Sequence, residues 1–194
     1  DLFYDYPYAA GQWAAKEYAT PTGVRVFSDQ GFTTIKRVMR HKTEKRLYRV
    51  ITSAGIVDVT EDHSLLLPDG TPVAPGSISV GTELLQRIPE VHEDLKTIMG
   101  TYNGVPDTHG CVYTVQTKKQ ATELMLSAQA NGYIGTTLAV RDDTFEVVVR
   151  ASPLPRAHVR KIIDLGRTMD YVYDLETENH HFHVGPGNLV VHNT

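Results

Sequence analysis

Short apolar runs closed by glycine turns constrain this chain more than any other feature. Val24, Val26 and Phe27 lead into Ser28-Asp29-Gln30-Gly31, and Phe32 and Ile35 follow. Two such runs around a turn whose glycine tolerates positive φ predict a β-hairpin. The plan repeats with 47–52, the Ser53-Ala54-Gly55 turn and 56–60, and again with 64–67, Pro68-Asp69-Gly70 and 71–73. Residues 171–177 and 189–192 supply further strands from the far end of the chain. Regularly spaced short strands predict an all-β body in which distant segments must meet.

The middle of the chain has a different period. Ala121, Leu124, Met125 and Ala128 recur at helical spacing between Thr117 and Asn131, with Gly132 as the stop. Residues 136–140 and 145–150 then read as a hairpin around Arg141-Asp142-Asp143, and the proline-containing stretch 151–156 reads as a linker. The expected organisation is a β domain over 1–89 and 156–193, interrupted by a small α+β insertion over 90–155.

Charge excludes little. The net charge is −4 and the pI about 6.1, so no strong field favours nucleic-acid phosphates. A local basic strip (Lys36, Arg37, Arg40, Lys42, Lys45 and Arg46) reads more simply as the wet face of a strand pair than as a DNA contact. A single cysteine, Cys111, excludes an internal disulfide and fits a reducing compartment. No run approaches the ~20 apolar residues that span a bilayer. The expected location is cytoplasmic.

Three constellations carry chemistry. The first is His192-Asn193-Thr194, which follows the apolar Leu189-Val190-Val191. An asparagine amide nitrogen can attack its own backbone carbonyl and close a succinimide, severing the next peptide bond, and an adjacent imidazole can protonate the departing amine. Thr194 would offer a hydroxyl nucleophile. The second is Thr60-Glu61-Asp62-His63 at the end of a strand. Thr60 and His63 can face one peptide bond and stabilise its tetrahedral state, or they can simply cap and satisfy a turn. The third is the run from Tyr173 and Asp174 through His180, His181, Phe182 and His183. Clustered histidines invite a metal reading, extended to His192, but neither a second cysteine nor a helical His pair supports a dedicated site.

Together these motifs resemble the inteins, the protein-splicing elements of the Hint (hedgehog/intein) fold. His192-Asn193-Thr194 is similar to their C-terminal splice junction and Thr60 to His63 to their Thr-x-x-His motif. Tyr173-Asp174-Leu175 with His180 and Phe182 is similar to the motif upstream of that junction. Residues 38–49 and 57–65 look most like inteins of family-B DNA polymerases. The resemblance implies a horseshoe-like β fold, an insertion that is a degenerate homing-endonuclease remnant, and autocatalytic splicing without a cofactor. It implies acyl shift at an N-terminal junction assisted by Thr60 and His63, with Asp174 steering protons. Transesterification to Thr194 and cyclisation of Asn193 follow, aided by His192 and by His180 or His181. Alignment on Phe182 selects His180, and counting from Asp174 selects His181.

The sequence departs from the family at its start. Asp1 cannot serve as the first nucleophile, and Asp1-Leu2-Phe3 looks like a stretch that related inteins carry well inside their N-terminus. The expectation is a C-terminal fragment of an atypically split intein, partnered by an N-terminal intein fragment of roughly 20–25 residues bearing the first nucleophile, and flanked by exteins of a DNA polymerase. The alternative places the start at Ala19. Readings from other classes are a DNA-binding or endonuclease-derived module and a histidine-rich metal-binding β module.

Overall fold

The computed structural model describes residues 4–5, 16–90, 93–168 and 170–193. Asp1-Leu2-Phe3 and Thr194 lie outside the described residues. In chain order the strands are β1 (Tyr4–Asp5), β2 (Glu17–Ala19), β3 (Arg25–Ser28), β4 (Gly31–Lys42), β5 (Arg46–Thr52), β6 (Ile56–Thr60), β7 (Leu65–Leu66) and β8 (Pro72–Val73). A 3-10 segment, Glu93–Thr101, precedes β9 (Val105–Asp107), β10 (Gly110–Val115) and the one α-helix of the described residues, α1 (Lys118–Ala130). Then follow β11 (Thr137–Arg141), β12 (Thr144–Val149), β13 (Val159–Arg167), β14 (Tyr171–Thr177), β15 (His181–Val184) and β16 (Leu189–His192). The all-β expectation holds, with every sheet pairing antiparallel.

β4 is the spine. Its first residues pair with β3 and its remainder with β2 and β14. The basic strip lies on this strand and just beyond it, and it is exposed as expected, with Arg40 alone half-buried. Arg40 Nε donates to Glu17 at 2.6 Å, and Glu17 also accepts from the Tyr171 hydroxyl at 2.8 Å. Arg37 Nε donates to Glu176 at 2.6 Å and Lys45 pairs with Asp62. Carboxylates from β2, β14 and the turn after β6 thus neutralise much of the strip.

β6 has a structural role on both faces. Period-two alternation sends Val57 and Val59 into a core with Val50, Leu65, Phe182, Leu189 and Val191, while Ile56 joins a second core around α1 with Leu124, Met125, Phe145 and Val147. Burying both faces fixes the turn that follows β6. α1 begins at Thr117, whose side chain accepts from the Gln120 amide while Gln120 reaches back to the Thr117 amide, a reciprocal capping box. Gly132 ends the helix at φ +86°.

Two differences from the sequence reading stand out. β7 and β8 are two residues each, shorter than 64–67 and 71–73, because only Leu65 and Leu66 pack fully inward. β13 is a nine-residue strand pairing along β5, and it was not expected. Its Arg160, Lys161 and Asp164 blur the alternation that would have marked it. Among the described residues no helix is long and apolar enough to cross a membrane.

Candidate active site

The β15–β16 hairpin delivers the C-terminal residues. His181 faces His192 across the pair, and Val191 is opposite Leu65 of β7. The His192 amide donates to Ser64 O at 3.1 Å and the Asn193 amide to His180 O at 2.8 Å. Asn193 is therefore held on both sides and is only 5% exposed.

Its polar atoms meet two imidazoles. His192 Nδ1 lies 2.5 Å from the backbone carbonyl oxygen of Asn193, and His180 Nδ1 lies 3.2 Å from Asn193 Oδ1. Each carbonyl oxygen can only accept, so each nearby Nδ1 carries the proton. The first contact places a donor on the oxygen that would turn anionic if the 193–194 bond were attacked. The second polarises the side-chain amide and fixes its rotamer. The rings of His180 and His192 stack with centroids 5.9 Å apart and 11° between planes.

His180 reaches Asn193 through an uncommon backbone. Its φ is +65°, in the left-handed region that non-glycine residues seldom adopt. It sits in the turn before β15, not in the strand. His181, the first strand residue, turns instead to Asp29, with Nδ1 at 2.9 Å from Oδ1.

The Thr60 to His63 turn adjoins this hairpin, since the residue after His63 accepts the His192 amide. Thr60 Oγ1 donates to Asp62 Oδ1 at 2.9 Å and the His63 amide to Thr60 O at 3.0 Å. Burial pushes the His63 imidazole below its usual value. Asp174 and Asp62 pull it back in part, and His192 adds to the depression. Those field effects put His63, Asp174 and His192 in one neighbourhood. Asp174 is buried on β14, its Oδ1 accepting from the Leu175 amide at 2.8 Å.

Thr60, His63 and Asp174 line a cleft of about 1120 Å³ that Phe182 and Lys45 also border. His41 of β4 lines it too, with its Nδ1 buried and lacking a hydrogen-bond partner. Sequence reading passed over both His41 and Asp29. His41 stood within a basic strip and Asp29 within a turn, and neither setting signals chemistry. Of the sequence-selected residues, His180, His192 and Asn193 touch one another, while Thr60, His63 and Asp174 form the cleft beside them. Among the described residues no three His, Cys, Asp or Glu side chains are placed to share a metal ion.

The chain is 51% identical over 70 residues to a DNA polymerase of Acanthamoeba polyphaga mimivirus, a match covering 36% of this chain and 4% of that polymerase. It is 36% identical over 97 residues to a DNA polymerase of Thermococcus hydrothermalis, covering 47% of this chain and 5% of the polymerase. It therefore spans a small fraction of the curated relatives it matches. Among solved structures it is similar to the transcription factor IIB Mvu mini-intein (TM-score 0.46, 17% identity, 95% of this chain and 82% of that one). It is also similar to the VidaL intein (TM-score 0.40, 13% identity, 88% of this chain and 70% of that one). No family model matches.

Proposed function

We infer that this chain is an intein of a DNA polymerase, an autocatalytic protein-splicing element on a Hint-type β fold. The observation that carries the reading is the paired imidazole contact on Asn193, one on its side-chain oxygen and one on the carbonyl of the bond to be cut. The polymerase matches support the setting, and the host's own activity belongs to the flanking sequence.

The C-terminal step follows from the contacts. Asn193 Nδ2 attacks the Asn193 carbonyl carbon, a new C–N bond closes the succinimide, and the bond to Thr194 breaks. The proton leaving Nδ2 is balanced by one delivered to the departing Thr194 amine. His180 makes the amide more acidic through Oδ1, and His192 stabilises the oxyanion. Holding the amide and its target in one buried geometry supplies the rest of the acceleration.

The cleft beside this hairpin suits the N-terminal junction. Thr60 and His63 flank the space where the first scissile peptide would lie. His63, depressed by burial, is neutral at neutral pH and can hydrogen-bond an amide before taking a proton. Asp174 is the acidic partner of that imidazole. An upstream intein segment bearing the first nucleophile would occupy the cleft, and Thr194 would accept the acyl group from it before Asn193 cyclises.

The test uses the chain with a cargo protein following Thr194. Cargo release should leave a C-terminus one water lighter than the hydrolysed form, and Asn193→Ala should release nothing while melting within a few degrees of the parent. Release by Asn193→Ala at the parent rate would exclude succinimide chemistry.

A further inference from the structure

The turn between β3 and β4 bears directly on the C-terminal site, although nothing in the reaction described above uses it. Ser28 is fully buried there, and its hydroxyl donates to Gly31 O at 2.8 Å while accepting from the Gln30 amide at 3.2 Å. Asn179 ties this turn to the one carrying His180. Its Nδ2 donates to Ser28 Oγ at 2.8 Å, and its Oδ1 accepts the His181 amide at 3.3 Å. The two turns are thus pinned together, and Asp29 in the first faces His181 in the second.

The His181 side chain is 16% exposed and that of Asp29 21%. An Nδ1 to carboxylate distance of 2.9 Å fixes the Nδ1 proton on His181 and with it the ring orientation. That ring lies edge-on to His192, with centroids 5.5 Å apart and 66° between planes. His192 is therefore braced by His180 stacked on it and by His181 at an angle. In this position its Nδ1 meets the Asn193 carbonyl.

Resting on the splicing reading, we propose that Asp29 is a positioning residue for Asn193 cyclisation. Its carboxylate accepts from His181 Nδ1 and holds the ring against His192, so that the His192 donor stays on the scissile carbonyl. Asp29 touches no reacting atom. A site held by such supports loses rate steeply when a support is removed, because displacements near 1 Å already cost about a hundredfold.

The experiment compares cargo release by the parent chain, Asp29→Ala and Asp29→Asn, with circular dichroism melts of each and nitrogen-15 NMR of the imidazoles. Asp29→Ala should release cargo about tenfold more slowly or worse, with its melt little changed. Asp29→Asn, whose amide oxygen still accepts from Nδ1, should stay within about threefold of the parent. In the parent, His181 should carry its proton on Nδ1, and Asp29→Ala should redistribute it. The proposal is overturned if Asp29→Ala releases cargo within about twofold of the parent. It is equally overturned if Asp29→Asn is as slow as Asp29→Ala, or if parental His181 is protonated on Nε2 alone. The last result needs no variant to fold. A parent that releases no cargo would bring down the splicing reading itself, whereas a releasing parent with an indifferent Asp29→Ala brings down this proposal alone.

Discussion

Neighbouring histidines on one hairpin have different tasks because their surroundings differ. His183 lies two residues beyond His181 and packs edge-on against Phe27, with ring centroids 5.2 Å apart. Burial pushes its imidazole down to about 4, against partial opposition from the Arg87 backbone and Asp29. The unfolded chain therefore binds a proton on His183 that the folded chain refuses between about pH 6.5 and 4. Stability from this group is complete above that window and falls as the pH drops through it. Between pH 7 and pH 5 the loss is about 2 kcal/mol. Urea unfolding of the parent and His183→Phe at both pH values should show the variant spared that amount. His63 and His41 shift in the same direction through burial, so both chains keep a common acid-sensitive background.

At the scale of elements, the position of β16 depends on the turn that precedes it. Gly185 and Gly187 both have positive φ, and a Cβ on Gly187 would stand 2.3 Å from Ala54 O. Ile56 N donates to Pro186 O at 3.0 Å, so the turn is seated on the β5–β6 hairpin. Gly187→Ala combines backbone strain with a clash and should destabilise by at least ~2 kcal/mol. It should also slow cargo release, since β16 carries His192 to its carbonyl. Gly31→Ala makes the contrast: its φ is +99° but nothing lies within 4 Å of the added Cβ, so strain alone costs about 1 kcal/mol. Chemical denaturation of both variants, beside their release rates, checks the difference.

In the molecule as a whole, Asp58 joins the two cores. Its carboxylate takes both Arg49 contacts at 2.8 Å and the Lys118 ammonium at 2.5 Å, linking β5, β6 and the first turn of α1. Burial alone would raise its pKa, but hydrogen bonds from Arg49 and Lys118 outweigh that and hold the carboxyl below its ordinary range. Its stabilisation is present above the usual carboxylate range and is lost as the pH falls through the folded value. Asp58→Asn leaves Arg49 partly buried without a counter-charge and should destabilise by about 2 kcal/mol, read from denaturant midpoints. The rate of cargo release at 25 °C should stay near the parent, because Asp58 pairs with Arg49 and Lys118 and with none of the groups on Asn193.

What is local was legible in the order of residues. Strand period, glycine turns, the helical spacing of Ala121, Leu124, Met125 and Ala128, and the adjacency of an imidazole and an amide at 192–193 all act within a few residues. β13 escaped that reading because its charged side chains hide the alternation, and the carboxylates that pair with the basic strip escaped it because they lie far away along the chain. Which histidine meets Asn193 emerged from the folded chain. His180 and His181 differ by one position, and a left-handed backbone at the first sends one ring to the amide and leaves the other to Asp29. Pairing of Ser64 with His192, and the seat of Asp29 beside His181, come from long-range packing of β strands, and no window of neighbouring residues contains that information.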